Sequence, residues 1–217
     1  LIYGVDAVHG HNNLLGATVF PHNIALGAAN DTDLVFRVNK ATATEVAATG
    51  IHWTFSPCVA VPQDPRWGRF YEGFGQTTEL VNGLTTAAIN GYQALLTETD
   101  DKQVAACAKH FIGDGGTFRG VDQGNTSMSL EDLLEQHGQG YVTALDADVQ
   151  TVMVSFNSWN GEKLHGHKQL LTDVLKGQMG FDGFVISDWN GIGQVDGCTN
   201  QSCAQSINAG VDMIMAP

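Results

Sequence analysis

The chain has 217 residues, with 10 Lys and Arg against 23 Asp and Glu, a formal charge of −13. That balance argues against nucleic acid as a partner, because a phosphate-binding surface needs clustered cations that release counterions. Hydrophobic residues make up 43% and charged residues 15%, enough apolar material for one core, and no apolar run approaches the ~20 residues of a membrane-spanning helix.

In chain order, short apolar runs alternate with longer helical stretches, punctuated by 26 glycines. Leu1 to Val5 is the first strand candidate and delivers Asp6 at its end. Thr32 to Ala48 reads as a helix, with Leu34, Val35, Val38, Ala41 and Val46 at roughly helical spacing, Asn30-Asp31 as cap candidates and Gly50 as the stop. His52 to Phe55 is the second strand, Thr77 to Leu96 the second helix, and Val104 to Ala108 a third strand that runs into Lys109-His110. Leu130 to Ala144 is a helix opened by Ser129 with Asp132 three residues on, a variant of the capping box. The strands Thr151 to Ser155, Gly183 to Ser187 and Val211 to Met215 follow, with helices at Gln169 to Gln178 and Gln201 to Asn208 between them.

Six strands alternating with helices form βα units around a parallel sheet. No glycine-rich phosphate turn follows the first strand, and polar residues end several different strands rather than meeting at one switch point. Both features favour a (β/α)8 barrel over an open doubly wound sheet. A complete barrel needs eight strands and about 250 residues. The expectation is therefore an incomplete α/β TIM-type barrel with about six of eight βα units, in a single domain spanning 1–217. The opening at Leu1 inside a strand-like run and the close on Ile214-Met215-Ala216-Pro217 read as a piece cut from a longer polypeptide.

Candidate chemistry sits at the strand ends. Gly183 to Trp189 delivers a carboxylate, Asp188, and then an indole, Trp189, to what would be the barrel mouth; an acid beside an aromatic platform suits a pyranose ring. A strand-ending Asp that caps the next helix is the simpler alternative. Lys109 and His110 are donors for sugar hydroxyls and can keep a nearby carboxylate ionised, or else are a paired Lys and a satisfied core His. The loop Asp64 to Glu72 holds Arg66 and Arg69, whose forks match diol and carboxylate geometry or latch the loop to the barrel. Asp6 is a further strand-end carboxylate. His9-Gly10-His11 and His165-Gly166-His167 raise a metal reading, but no HExxH or 2-His-1-carboxylate spacing accompanies them, so no metal or other cofactor is assigned. Cys198 and Cys203 flank a polar loop at a spacing that closes a small disulfide, while Cys58 and Cys107 read as buried free thiols. One bridge points to a periplasmic or secreted location.

Six segments then carry a resemblance: YGVDAVHGHNN, SPCVAVPQDPRWGRFYEGFG, AKHFIGDGGT, VMVSFNSWNG, GFVISDWNG and NAGVDMIMAP. In this order, and across nearly the whole chain, they resemble glycoside hydrolase family 3, most closely its β-glucosidase and exo-1,3/1,4-β-glucanase branch. The resemblance implies a retaining glycosidase that releases β-D-glucose from the non-reducing end of β-glucosides or gluco-oligosaccharides. It implies Asp188 as nucleophile, Trp189 as stacking platform, and Asp6, Arg69, Lys109 and His110 as holders of the glucose hydroxyls, with Arg66 structural. Two departures stand out. Phe156 occupies a place where the branch often has Tyr. The family's β-glucosidases take their acid/base Glu from a C-terminal domain, which this chain lacks, and the loop 120–126 has no His of the kind the N-acetylglucosaminidase branch uses. The acid is therefore expected outside residues 1–217. A non-catalytic carbohydrate-binding barrel and a metal-dependent TIM-barrel hydrolase using the His-Gly-His pairs are the alternatives from other classes.

Overall fold

A computed structural model describes residues 2–94 and 104–217. Its barrel strands are β1 (Gly4–Val5), β2 (Trp53–Thr54), β3 (Cys107–Phe111), β4 (Thr151–Val154) and β5 (Phe184–Ile186). All neighbours are parallel and follow chain order. β1 pairs with β2, bridges Trp53–Ala105 and Cys58–Lys109 join the second segment to the third, and β3, β4 and β5 pair in turn. A last parallel bridge joins Ile186 to Met213. Chain order without a reversal is the arc of a barrel and not a doubly wound sheet. The arc is not closed among the described residues, so the fold is an incomplete (β/α)8 barrel.

The outer layer holds α1 (Asn23–Ala29), α2 (Thr32–Ala48), α3 (Thr78–Gln93), α4 (130–146), α5 (Gln169–Gln178) and α6 (Ala204–Ala209). The Asp31 carboxylate accepts from Leu34 N–H at 3.0 Å, and α2 then turns Val35, Val38, Thr42, Ala43 and Val46 inward. Ser129 accepts from Asp132 N–H at 3.0 Å and donates to its carboxylate at 2.6 Å, as the sequence pattern implies. Alternation sorts each strand into two faces. Ala106, Ala108, Phe111, Val152, Val154 and Val185 face the helices in the main core. Trp53, Cys107, Met153 and Ile186 face the barrel interior, with Phe55, Phe184, Met213 and Met215 against them. Each fully buried Val, Leu, Ile or Phe side chain contributes about 1.5–3 kcal/mol relative to exposure, so the helix-facing layer carries most of the stability. Across the interior, Trp53 Nε1 donates to Thr151 Oγ1 at 2.9 Å and Thr151 donates to Ala106 O at 2.8 Å.

Several elements differ from the expectation. Val211 to Met215 forms only the bridge at Met213, because one neighbour alone offers it a ladder. The third strand is displaced to Cys107–Phe111, so Lys109 and His110 lie inside it rather than beyond its end. The helix from Thr77 has Thr77 as its cap, and residues 95–96 of the expected span, like Leu1 of the first strand, lie outside the described residues. The helix at Leu130 runs on to Asp146 through a π-wound stretch, Leu134–Gly138, and the helix expected from Gln201 starts at Ala204 once the 198–203 loop is closed. α1 was not expected, nor was a small side sheet of Asn125–Thr126, Ser158–Trp159 and Glu162–Lys163. Two-residue strands fall below the length at which periodicity is legible. No helix among the described residues is long and apolar enough to cross a membrane.

Candidate active site

The inward rows of the barrel end in charge. On β5, Phe184 and Ile186 point inward and Asp188 is the next residue of that row; on β3 the row is Cys107 then Lys109; on β1 it is Gly4 then Asp6. Gly4 is required there, since a Cβ would sit 2.5 Å from the Phe55 ring. His110 breaks the alternation. The β3–β4 ladder shifts register between Ala108 and Phe111, which lets Lys109 and His110 both serve the interior end of the barrel.

Asp188 has a 13% exposed side chain. Its Oδ1 accepts from Trp189 N–H at 2.7 Å, while Oδ2 has no hydrogen-bond partner among the described residues and lies 3.7 Å from His110 Nε2. Burial raises its carboxyl above the ordinary range, against the pull of the Trp189 amide, Arg69 and Lys109. One oxygen is thus tethered and the other free to react. The backbone N–H of Asp188 donates to His165 Nε2 at 3.0 Å, and burial pushes His165 down to about 3, keeping that nitrogen an acceptor.

Lys109 is buried and donates to Asp6 Oδ1 at 2.9 Å. Burial opposes the ammonium, but Asp6 together with Glu72 outweighs it and the Lys109 pKa ends above its usual value. The Asp6 side chain is 61% exposed, leaving its second oxygen to the mouth. Arg69 makes a two-pronged pair with Glu72, at 2.8 and 2.9 Å, and also donates to His110 Nε2 at 2.8 Å. A guanidinium only donates, so Nε2 carries the lone pair and Nδ1–H donates to Asp114 Oδ2 at 2.8 Å. Burial, then Arg69 and Lys109, hold His110 neutral. Asp114, buried behind it, is raised to about 7, chiefly by burial. Trp189 is 53% exposed, a free aromatic face at the rim.

Asp6, Arg69, Lys109, His110 and Asp188 therefore converge, with Trp189 beside them. Arg66 does not join them. It is exposed and among the described residues grips only Asp64 two residues away; the loop is held instead by buried Trp67, whose Nε1 donates to Asp122 at 2.9 Å. The His-Gly-His pairs do not converge either. His9 donates to Phe20 O, His11 to Thr49 Oγ1, and His167 Nδ1 accepts from Leu170 N–H, leaving His165 alone at the site. Among the described residues, the side chains of metal-ligand type that do meet in a group of three are Cys58, His110 and Asp114. Cys198 and Cys203 are bridged, and Cys58 and Cys107 are buried and free. Sequence reasoning missed Glu72, Asp114 and His165. Glu72 is signalled by its place three after Arg69 and Asp114 by its place four after His110, whereas nothing local signals that His165 meets Asp188.

The family model for the glycosyl hydrolase family 3 N terminal domain matches residues 1–217. A periplasmic beta-glucosidase of Salmonella typhimurium is 33% identical over 221 residues, covering 100% of this chain and 28% of that protein. The crystal structure of an exo-1,3/1,4-beta-glucanase from a Pseudoalteromonas species superposes with a TM-score of 0.95 at 55% identity, covering 100% of this chain and 27% of the other. A mutant beta-glucosidase from Listeria innocua, solved in complex with laminaribiose, gives 0.92 at 35% identity over 99% of this chain and 30% of its own. The chain thus spans less than a third of the length of each of these three relatives.

Proposed function

The chain belongs to glycosyl hydrolase family 3, and on that premise we propose that it is the catalytic barrel of a retaining β-glucosidase or exo-β-glucanase releasing glucose from the non-reducing end of β-glucosides. The observation that carries the reading is the Asp188 carboxylate, with Oδ1 held by an amide and Oδ2 buried and unpartnered amid Asp6, Arg69, Lys109 and His110. Laminaribiose bound to the Listeria protein supports the substrate class.

Oδ2 attacks the anomeric carbon as the glycosidic bond breaks, forming a glycosyl ester that water then hydrolyses. Lys109, bonded to Asp6, and Arg69, fixed by Glu72, present donors whose positions are set before the sugar arrives, so little reorganisation is needed at the transition state. Trp189 stacks the neighbouring sugar. Neutral His110 presents Nε2 toward the same space, its tautomer fixed by Asp114. The acid that protonates the departing oxygen comes from a part of the full-length protein outside residues 1–217. The Cys198–Cys203 bridge supports a periplasmic or secreted setting.

The test is a 2-fluoroglucoside trap on the full-length protein. A glycosyl adduct on the peptide carrying Asp188 is expected, and Asp188→Ala should lower turnover by several orders of magnitude with the fold intact. A sugar-binding barrel would form no adduct, and a folded Asp188→Ala protein near the wild-type rate would end the assignment.

A further inference from the structure

Behind the face of His110 that looks toward Asp188 lies a cluster whose thiol, Cys58, sugar cleavage does not use. Cys58, His110 and Asp114 each bring a ligand-type atom within 4.8 Å of the others, and all three are buried. We propose that this cluster is an inhibitory site for a thiophilic divalent cation such as Zn2+, which disables the glycosidase site by capturing His110 Nδ1. The inhibitory half rests on the function proposed above; metal uptake does not.

The donor set suits such an ion. A thiolate, an imidazole and a carboxylate are three protein ligands of a tetrahedral site with one position open. Sulfur favours zinc-like ions over Mg2+ or Ca2+, which prefer oxygen. Uptake releases the Cys58 proton and any proton on Asp114, so two anionic donors offset the two charges of the ion and the occupied site carries no net charge. The neighbouring Arg69 guanidinium is already paired with Glu72. Cys58 also lines a narrow cleft with Val8, His22, Asn23 and Glu72.

Inhibition follows from the tautomer. His110 Nδ1 now donates to Asp114 and Nε2 accepts from Arg69. A metal on Nδ1 takes that lone pair, so the ring proton moves to Nε2. An N–H then faces the Arg69 donor at the present 2.8 Å, which cannot persist, and another acceptor must be found. Asp188 Oδ2, 3.7 Å away, is the acceptor in reach. One ion thereby releases Arg69 and occupies the reactive oxygen.

The test uses the full-length protein in metal-free buffer with ZnCl2. Equilibrium dialysis should find one Zn2+ lost in Cys58→Ala and Cys58→Ser relative to wild type, while both variants keep basal kcat/KM because Cys58 meets no substrate. Zinc uptake and zinc inhibition should weaken together, by at least the roughly 10- to 100-fold that loss of a lesser, outer-shell partner costs. Cys107→Ser removes the other buried thiol, which sits against Trp53 and Met153, and should change neither. Should the Cys58 variants not fold, Asp114→Asn is dialysed instead and should lose the same ion. Unaltered zinc stoichiometry and affinity in a folded Cys58 or Asp114 variant overturns the site; lost uptake with inhibition retained overturns its link to His110. Uptake through Cys58 in a protein without glycosidase activity would uphold the metal site and refute the function instead.

Discussion

Asp6 and Lys109 show how much a side chain's partner decides. Lys109 is an ammonium with a 4% exposed side chain whose charge is tolerated because Asp6, 61% exposed, accepts from it at 2.9 Å. Removing either partner leaves the other misplaced: a buried cation without a counter-charge, or a carboxylate free to swing away from the sugar. Asp6→Ala and Lys109→Ala are each expected to lower kcat/KM by the equivalent of about 1.5–3 kcal/mol, the range for hydrogen bonds to charged groups. Because the two act as one unit, the double variant should lose little more than the worse single one, and a double-mutant cycle on kcat/KM checks it. Strict additivity would show that they hold the sugar independently. Arg66 and Arg69 make the opposite contrast. Three residues apart in one loop, one spends its fork on an exposed neighbour and the other braces His110, a difference set by which side of the loop packs on the barrel.

At the scale of elements, the strand ends aim the chemistry. That Asp188 follows the apolar run Phe184–Ile186 is legible in the sequence, whereas the row Cys107, Lys109 depends on where the third strand falls, because a side chain two residues on points the same way only within one strand. His110 is not legible, since its orientation comes from a register shift in a ladder with a distant strand. The turn after β5 is as constrained as the strand. Asn190 adopts a φ of 56°, and a Cβ on Gly191 would sit 2.2 Å from His165 Nε2, the atom that accepts the Asp188 amide. Gly191→Ala is therefore expected to push His165 aside, costing about 1–3 kcal/mol of stability as overpacking does. It should also lower kcat in a protein that still folds. Thermal melting and steady-state kinetics together check this; an unchanged kcat would mean that the His165 contact does not position Asp188.

For the whole molecule, the proposed function divides the reaction between this barrel and the rest of the full-length protein. Glycosylation of Asp188 by an ordinary glucoside needs a proton for the departing oxygen, and a positioned acid typically contributes ~10²–10⁴-fold. The nearby carboxyls are committed: Glu72 to Arg69, Asp6 to Lys109, Asp114 to His110. Residues 1–217 expressed alone, and shown to be folded by circular dichroism, are therefore expected to be inert on laminaribiose. They should slowly release a dinitrophenolate, which departs without a proton, and azide should accelerate that release by attacking the ester without base assistance. Hydrolysis of laminaribiose by these residues alone would reveal an acid within them.

What the sequence determined by itself was local or periodic. The Asp31 and Ser129 caps, the span of α2, the placing of Asp6 and Asp188 just after strands, and the short Cys198–Cys203 bridge each depend on residues within a few positions of one another, where sequence spacing is spatial spacing. Six ordered motifs added the family. Only the tertiary structure decided the rest: that Arg69 and not Arg66 reaches His110, that Asp114 fixes the His110 tautomer, that His165 leaves its His-Gly-His pair to hold the Asp188 backbone, and that Cys58 closes a ligand cluster with His110. Those contacts join different strands and loops of the barrel, and their geometry follows from ladder register and core packing, which no local pattern encodes.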